Sequence, residues 1–408
     1  MKYIHRTLET SFLQAAKQFP VLLVSGARQV GKTTMLKHLM EPSRTYVTLD
    51  DLQIRALAKN DPALFLQRFP PPLLIDEVQY APELFPVIKM NVDTRHEMGA
   101  YWLTGSQHFN LMQEVTESLA GRIGILPLMG LSSAELREKP DQAPFLPGSL
   151  EPETENQSAP ALIAVYKQIF TGSYPAMYQQ QGMDRDLFYS SYLQTYIQRD
   201  IRSLTKAGSE QSFVRFMRAC AARTAQLLNM NDLCRDADIS HATGKQWLSV
   251  LISSGIIYLL EPFSTNVTSR MVKAPKLFFT DTGLAAYLAG WSSPEVLEAG
   301  ATAGAMLETW AVMEILKGYR NHAKSGQLFF YRDRDKKEID LLIMKDNVLY
   351  PIEIKKTAHP AEDSFRHFSV LEKFQTGGMK VGHGAVICFV KQSIPLTKTV
   401  YAVPVGSI

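Results

Sequence analysis

The sequence predicts a multidomain α/β protein, and three observations support that prediction. The chain has 408 residues, which corresponds to roughly two to four domains of ordinary size. Between residues 21 and 133, short apolar runs alternate with helical stretches, which is typical of a parallel sheet covered by helices. After residue 300, a helix is followed by several strand-like runs, which indicates a second α/β unit.

The composition is that of a soluble globular protein, with 46% hydrophobic and 20% charged residues. The net charge of +3 is too small to identify a nucleic-acid partner by itself. Cys220, Cys234 and Cys388 lie far apart, so neither a disulfide framework nor a Cys-x-x-Cys metal pair is expected. The most apolar long run, from Leu248 to Leu260, is shorter than the roughly 20 residues of a membrane span. We therefore expect a cytoplasmic protein without stable membrane insertion.

The most specific motif is the glycine loop GARQVGKTT. Its spacing is that of a P-loop, in which backbone N–H groups and the start of a helix bind phosphates. An apolar strand precedes it and a helical stretch follows, as this motif requires; a glycine turn in an ordinary βα unit is the alternative. Lys32 would reach the β and γ phosphates of ATP, and the Thr33 hydroxyl would bind Mg²⁺. The residues expected to bind the nucleotide here are Gly26, Ala27, Arg28, Gln29, Val30, Gly31, Lys32, Thr33 and Thr34.

Two further strands end in polar residues where ligands bind in open α/β sheets. The run LLIDE ends in Asp76 and Glu77, of which one can hold the Mg²⁺ shell while the other polarises water. A solvated strand end is the alternative. The run WLTGS ends in hydroxyls, and Thr104 or Ser106 would bond the attacking water or the γ-phosphate.

These motifs, together with SLAGRIGILPL at residues 118–128, resemble the AAA family of bacterial and archaeal ATPases that carry a C-terminal DUF4143 region. The resemblance covers most of the chain and implies an AAA+ domain at residues 1–138. It implies that Asp76 and Glu77 are the Walker B pair, with Asp76 on the metal and Glu77 catalytic, and that Thr104 or Ser106 is sensor 1. Arg122 becomes a candidate arginine finger that meets the γ-phosphate of a neighbouring subunit in a homo-oligomer. Pairing of Arg122 with Glu117 or another surface acid remains the alternative.

The middle of the chain predicts an insertion followed by helices. Residues 139–160 contain five prolines and are interpreted as an exposed insertion or linker. Residues 161–204 are predicted to be a helical connector, in which QTYIQRDI also resembles the DUF4143 family. In residues 205–290, three helical stretches precede two strands, which predicts a winged helix.

The third of these helical stretches has the pattern of a recognition helix. Its apolar face is predicted to bury Trp247, Leu248, Leu251 and Ile252. Its opposite face would present Ala242, Lys245, Gln246, Ser249 and Ser253 to a major groove. Residues 196–276 carry eleven Lys and Arg against six Asp and Glu, with Arg270, Lys273 and Lys276 near the wing. This excess is consistent with DNA binding, and a winged helix that only packs between subunits is the alternative.

The C-terminal unit contains four polar residues at a meaningful spacing: Glu308 on a helix, Asp340 in EIDLLI, and Glu353 and Lys355 in YPIEIKK. Strand alternation places Glu353 and Lys355 on one face. The arrangement resembles the PD-(D/E)xK nuclease superfamily, which implies a restriction-endonuclease-like domain at residues 300–408. By that resemblance Asp340 and Glu353 hold Mg²⁺, Lys355 assists the attacking water, and Glu308 is the helical acid. A nucleic-acid-binding fold without cleavage, a structural relic, and a simple cross-strand ion pair remain open.

The sequence thus predicts an ATPase that requires Mg²⁺ and acts on DNA through its winged helix and nuclease-like domain. The alternative is an ATP-switched assembly or signalling protein whose C-terminal folds bind protein partners. A membrane ATPase is not favoured, because an amphipathic basic anchor is missing. The nine histidines are scattered, and their spacing predicts no zinc site.

Overall fold

The computed structural model describes residues 3–106, 117–148, 161–179, 182–196, 210–264, 274–324 and 326–408. They form two compact units. The first comprises the chain up to Asp141 with residues 249–256 and 320–324, and the second comprises the rest. Residues 149–160 of the predicted linker, residues 197–204 of the connector, and Arg270 and Lys273 lie outside the described residues.

The first unit contains a five-stranded parallel sheet in the order β2-β3-β4-β1-β5, which confirms the predicted N-terminal parallel sheet. Its strands are β1 (Val21–Gly26), β2 (Thr45–Thr48), β3 (Leu73–Asp76), β4 (Tyr101–Ser106) and β5 (Ile123–Pro127). Its helices are α1 (Leu8–Ala15), α2 (Lys32–Leu39), α3 (Leu52–Asn60), α4 (Pro62–Arg68), α5 (Leu84–Arg95) and α6 (Ser133–Leu136), with a 3₁₀ turn at Val78–Tyr80.

The apolar residues of the central strand explain why this sheet lies in the core of the unit. β1 is buried along its whole length, as expected for an apolar strand covered on both faces. Because the strands are parallel, the carboxyl ends of β1, β3 and β4 meet at one edge. That edge collects the glycine loop, the Asp-Glu pair and the hydroxyls of β4.

The second unit begins with helices and a small antiparallel sheet in the order β6-β8-β7. The strands are β6 (Gln226–Leu227), β7 (Ile257–Leu260) and β8 (Lys276–Phe279). The helices are α7 (Leu162–Thr171), α8 (Ala176–Gln179), α9 (Arg185–Tyr196), α10 (Glu210–Ala221), α11 (Met230–Ala237), α12 (His241–Ser253), α13 (Thr282–Leu288) and α14 (Pro294–Ala299). The last part of α12, from Ser249, counts with the first unit. The three helical stretches and two strands that were predicted for this section are therefore present.

Helix α12 follows most of its predicted pattern. The Ser240 hydroxyl accepts the N–H of Thr243 at 3.1 Å, as an N-cap does. A Cβ added to Gly244 would lie 2.4 Å from Cys234 Sγ, so glycine permits close packing of α12 on α11. Trp247 and Leu248 are buried, but Ile252 is 37% exposed, so its predicted core position is wrong. The buried stripe passes through Leu248 and Leu251, and Ile252 lies one step around the helix from it.

The polar face of α12 is also as predicted at most positions. Ala242, Lys245, Gln246 and Ser249 are exposed, and Ser253 is half-buried. No helix in the described ranges is long and apolar enough to cross a bilayer.

The unit ends with α15 (Ala303–Asn321) and a seven-stranded sheet in the order β14-β15-β13-β11-β10-β9, with β12 beside β11. The β9-β10-β11 pairs are antiparallel and the β11-β13-β15 pairs are parallel, so the sheet is mixed and the predicted second α/β unit is confirmed. Its strands are β9 (Gln327–Arg332), β10 (Glu338–Lys345), β11 (Val348–Ile354), β12 (Lys380–Val381), β13 (Gly384–Cys388), β14 (Ile394–Pro395) and β15 (Val400–Pro404). Short 3₁₀ segments lie at Glu362–Ser364, Arg366–Gly377 and Val405–Ser407.

Candidate functional site

The glycine loop joins β1 to α2 in a conformation that explains its glycines. Gly26 has φ of 149° and Gly31 has φ of 96°, values that L side chains rarely adopt. A Cβ on Gly26 would lie 2.1 Å from the carbonyl oxygen of Leu128. The end of β1 can therefore pass Leu128 only without a side chain at position 26.

Lys32 and Thr33 stand at the first turn of α2. Lys32 is only 6% exposed, and its Nζ donates to the carbonyl oxygens of Gly26 at 3.0 Å and Ala27 at 2.8 Å. The ammonium group thus lies inside the loop, beside the positive end of the helix dipole. Thr34, the next residue, is exposed.

Asp76, at the end of β3, collects three hydroxyl groups. Its Oδ1 accepts from Thr33 Oγ1 at 2.6 Å and also from the Thr104 hydroxyl. Its Oδ2 accepts from the Tyr46 hydroxyl at 3.1 Å. Burial and then the charge of Asp76 raise the pKa of Tyr46 to about 12. The structure brings the predicted Thr33, Asp76 and Thr104 together, whereas Tyr46 was missed because β2 carries no motif.

Thr104 also connects the two acids. Its Oγ1 accepts the backbone N–H of Glu77 at 3.1 Å, and the Glu77 side chain accepts from the amide of Gln79. Glu77 has a left-handed backbone with φ of 57°, an uncommon conformation for a non-glycine residue. Of the two hydroxyls considered, Thr104 contacts the acids, and the side chain of Ser106 lies outside the described residues.

A buried ion pair braces the glycine loop from the N-terminal segment, and sequence reasoning missed it. Arg6 donates to the carbonyl oxygens of Val30 at 2.8 Å and Met129 at 2.7 Å. Its Nε lies 3.2 Å from Glu135 Oε2, and both side chains are almost completely buried. Glu135 also completes a capping box with Ser132; that local S-x-x-E pattern was readable in the sequence, but its pairing with Arg6 was not.

Arg122 lies away from the glycine loop. It immediately precedes β5, which runs parallel to β1, so it stands at the opposite edge of the sheet, roughly 16 Å from the loop at 3.3 Å per residue. Its Nη2 donates to Asp93 Oδ2 at 3.0 Å. This bond raises the pKa of Arg122 and lowers that of Asp93. Within one chain, Arg122 therefore pairs with a surface acid. This is the alternative to an arginine finger that the sequence left open.

A second polar site, termed here the carboxylate cluster, consists of Glu308, Glu338, Asp340 and Glu353 with Lys276 and Lys355. The antiparallel register Leu341↔Ile352 places Asp340 opposite Glu353. The N–H of Ile354 donates to Asp340 Oδ2 at 2.9 Å. Lys355 Nζ lies 2.5 Å from Glu353 Oε2 and 3.6 Å from Asp340 Oδ2. The predicted grouping of Asp340, Glu353 and Lys355 is thus present.

Lys276 occupies the other side of this cluster. Its Nζ lies 2.8 Å from Glu308 Oε1 and 2.6 Å from Glu338 Oε1, and the residue is 2% exposed. The prediction that Lys276 contributes to a basic wing surface is therefore wrong, because the lysine is buried and its ammonium contacts two half-buried carboxylates. Glu338 was missed, although it alternates with Asp340 on one face of β10.

The acids of the cluster perturb one another. Burial and then the charge of Asp340 raise the pKa of Glu308 to about 8. The same two causes raise the pKa of Glu353 to about 9. Burial by itself would lower the pKa of Lys355, but the charges of Asp340 and Glu353 together outweigh burial, so the pKa is raised. Near neutral pH, Glu308 and Glu353 therefore favour their protonated forms.

Comparison with known proteins identifies three regions. Residues 18–137 match the family model described as AAA domain, residues 163–295 match a domain of unknown function, DUF8612, and residues 303–408 match a domain of unknown function, DUF4143. The uncharacterized proteins Mb2031c of Mycobacterium bovis and Rv2008c of Mycobacterium tuberculosis are each 27% identical over 396 residues, which is 97% of this chain and 82% of theirs.

Likeness to solved structures is weak. A structure of Drosophila ORC bound to AT-rich DNA and Cdc6 has 10% identity and a TM-score of 0.20, covering 69% of this chain and 89% of that one. A crystal structure of protein VC1899 from Vibrio cholerae has 12% identity and a TM-score of 0.16, covering 92% and 90%. Scores this low support no argument about fold or function.

Proposed function

We propose that this chain, which belongs to the AAA-family ATPases with a C-terminal DUF4143 domain, binds and hydrolyses ATP with Mg²⁺ at the loop between β1 and α2. The observation that carries the proposal is the meeting of the Thr33 and Thr104 hydroxyls on one oxygen of Asp76. Three sequence-distant motifs thereby converge on one point beside Lys32.

The loop fits a polyphosphate. It has a bare backbone at Gly26, a left-handed turn at Gly31 and the positive end of α2, which together favour a bound anion. The Lys32 ammonium now bonds two loop carbonyls, so a phosphate would have to compete for it at close range. Arg6 holds the Val30 carbonyl from behind, which fixes the loop before nucleotide arrives.

The residues at Asp76 fit Mg²⁺, which prefers carboxylate, hydroxyl and water oxygens. Thr33 and Asp76 would hold the ion, and the ion supplies neutralisation of phosphate charge when bound. Through its hydrogen bonds to both residues, Thr104 fixes the position of the Asp76 carboxylate relative to the backbone of Glu77. The Glu77 carboxylate would orient the attacking water and accept its proton.

Arg122 is proposed to act on the nucleotide of a second copy of the chain. At the far edge of the sheet, Arg122 lies too far from the loop of its own chain for contact, at roughly 16 Å. Its partly exposed ion pair with Asp93 is weak enough to be exchanged. A homo-oligomer in which Arg122 meets the neighbouring γ-phosphate would add transition-state charge stabilisation.

Equilibrium binding of a fluorescent ATP analogue with Mg²⁺ tests this proposal. Lys32→Ala should weaken binding at least about tenfold, because it removes the buried ammonium. Glu77→Gln should retain binding, because it changes only the group assigned to water. Lys59→Ala, an exposed lysine on α3, is the matched control. Equal binding by the Lys32→Ala and control proteins would refute the assignment of the loop.

Action on DNA is the second candidate, and the carboxylate cluster favours it. Asp340 and Glu353 offer adjacent oxygens beside Lys355, a set that fits Mg²⁺ at a scissile phosphate. Glu308 is engaged by Lys276, so the metal would rest on Asp340 and Glu353. The raised pKa of Glu353 means that the ion must displace a proton, and metal affinity should increase with pH.

DNA contact would come from α12, whose Lys245 and Gln246 are exposed, as a recognition helix in a winged helix requires. Incubation of plasmid DNA with the protein, ATP and Mg²⁺ should give nicks that Asp340→Ala abolishes. Lys337→Ala, an exposed neighbour, is the control. Absence of DNA binding and nicking, with ATP hydrolysis intact, would favour the alternative in which the C-terminal domains bind protein partners under nucleotide control.

A further inference from the structure

Two histidines and a glutamate that are distant in the sequence meet at the N-terminal segment of the first unit. His5 precedes α1, Glu9 lies in its first turn, and His38 lies in the last turn of α2. One ligand atom from each residue lies within 4.8 Å of the other two. We propose that these residues bind a divalent transition metal of the zinc class, and that the metal fastens the N-terminal segment to the helix that follows the glycine loop.

The distances fit such an ion with small side-chain adjustments. His5 Nδ1 lies 3.4 Å from Glu9 Oε2, which equals the ligand separation of about 3.4 Å in a tetrahedral site with bonds near 2.1 Å. The ligand atoms lie within 4.8 Å of one another, so the imidazole of His38 has to approach by at most about 1.4 Å, which an exposed side chain at a helix end can do by rotation. Two histidines, one carboxylate and a solvent-facing fourth position are a ligand set that zinc accepts.

Surrounding groups hold the ligands, as expected of a metal site and not of a chance surface cluster. Glu9 Oε1 accepts from the Tyr3 hydroxyl at 2.7 Å and from the backbone N–H of Arg6 at 2.6 Å. This leaves Oε2 for the ion. Only 13% of the Glu9 side chain is exposed, so its orientation is fixed by the fold.

The Tyr3 ring orients both imidazoles. It stacks on His38 with 3.9 Å between ring centroids and meets His5 edge-on at 5.4 Å. The two histidines are themselves edge to face at 5.4 Å. Tyr3 therefore contacts all three proposed ligands at once.

At this location a bound metal would connect two segments that flank the glycine loop. Arg6, the neighbour of His5, donates to the carbonyl of Val30 in the glycine loop, and His38 lies in the last turn of the helix that begins with Lys32. A bound ion would join the segment that braces the loop to the far end of that helix. The ion differs from the proposed nucleotide Mg²⁺ in ligand type, because nitrogen ligands favour zinc over magnesium.

Zinc titration of tag-free, full-length protein without nucleotide tests the proposal. Competition with a chromogenic chelator should show one site per chain with micromolar or tighter affinity. His5→Ala and His38→Ala should each weaken it at least tenfold, and Tyr3→Phe should weaken it less. His359→Ala, which removes an exposed histidine elsewhere, should leave it unchanged.

Two further readouts complete the test. Cobalt in place of zinc should give the visible absorption of a four-coordinate site, and Glu9→Gln should diminish it while keeping the contacts to Tyr3 and Arg6. Lys32→Ala should leave metal binding intact, so the result is independent of ATP hydrolysis. Zinc binding that is absent, or that persists in the doubly substituted His5→Ala and His38→Ala protein, would overturn the proposal.

Discussion

Replacement of Lys276 by methionine tests the internal charge balance of the second unit. Lys276 Nζ lies 2.8 Å and 2.6 Å from the carboxylates of Glu308 and Glu338 in a buried position. Removal of one partner of a buried ion pair costs about 3–5 kcal/mol when the other charge is left uncompensated. Glu338 keeps its ion pair with Arg332 at 2.9 Å, so the charge that loses its partner is that of Glu308. We expect Lys276→Met to lower the local unfolding free energy by about that amount at alkaline pH.

The cost should depend on pH in a defined direction. Glu308 has a folded pKa of about 8, above its ordinary value near 4.5, so in the wild type the folded chain keeps a proton that the unfolded chain loses as pH rises from about 5 to 8. Across that pH range, one carboxyl group with a raised folded pKa lowers the free energy of unfolding by about 1.4 kcal/mol per pH unit. Lys276 lowers the pKa of Glu308. Removal of Lys276 therefore raises that pKa further and extends the destabilising pH range to higher pH. The pKa of Lys276 is itself raised, so the stabilising effect of its charge is fully present below about pH 10. The destabilisation should therefore be greater at pH 9 than at pH 6.

Native-state hydrogen exchange of amides in β10 and β11 is the suitable assay, because it reports local opening free energy in a chain of two units. Lys337→Met, at an exposed position of the same segment, is the matched control. Addition of Glu308→Gln to Lys276→Met should restore about 1–3 kcal/mol. A loss below about 1 kcal/mol at pH 9, or one independent of pH, would refute this reasoning.

Three other substitutions test separate contacts. Thr104→Val should cost about 1–3 kcal/mol in urea unfolding and slow ATP hydrolysis, since Asp76 and the Glu77 N–H lose a buried partner; Thr104→Ser should behave as wild type. Gly26→Ala should abolish nucleotide binding, since its Cβ would lie 2.1 Å from a backbone oxygen, whereas Gly377→Ala meets open space and should be neutral in the same assay. Lys245→Glu should weaken DNA binding and flatten its dependence on salt, and unchanged affinity in a filter-binding titration would exclude α12 as the DNA contact.

Local patterns predicted the first unit well. The glycine loop, the Asp-Glu pair and the strand that ends in Thr104 each follow an apolar run, and parallel strands bring such ends to one edge without further information. The hairpin of β10 and β11 was also readable, because alternation fixes which side chains of Asp340, Glu353 and Lys355 share a face.

The contacts that were missed join residues far apart in the chain. Lys276 looked like one basic residue of a wing, and only the structure shows that its ammonium lies 2.8 Å from Glu308. The meeting of His5 and His38 depends in the same way on where the segment before α1 lies relative to the last turn of α2. Residue type and spacing do not indicate which distant residues become neighbours in the fold. The exposure of Ile252 shows that even the buried face of a helix depends on the elements that pack against it.

Steady-state phosphate release from ATP, with Mg²⁺ and with excess chelator, tests the central claim most directly. The wild-type protein should turn over ATP only with Mg²⁺, and Lys32→Ala or Glu77→Gln should lower the rate by about a hundredfold or more, while Lys59→Ala should match the wild type. Equal rates in wild-type and Lys32→Ala protein, or turnover that persists in chelator, would contradict the assignment of this site as an ATPase centre.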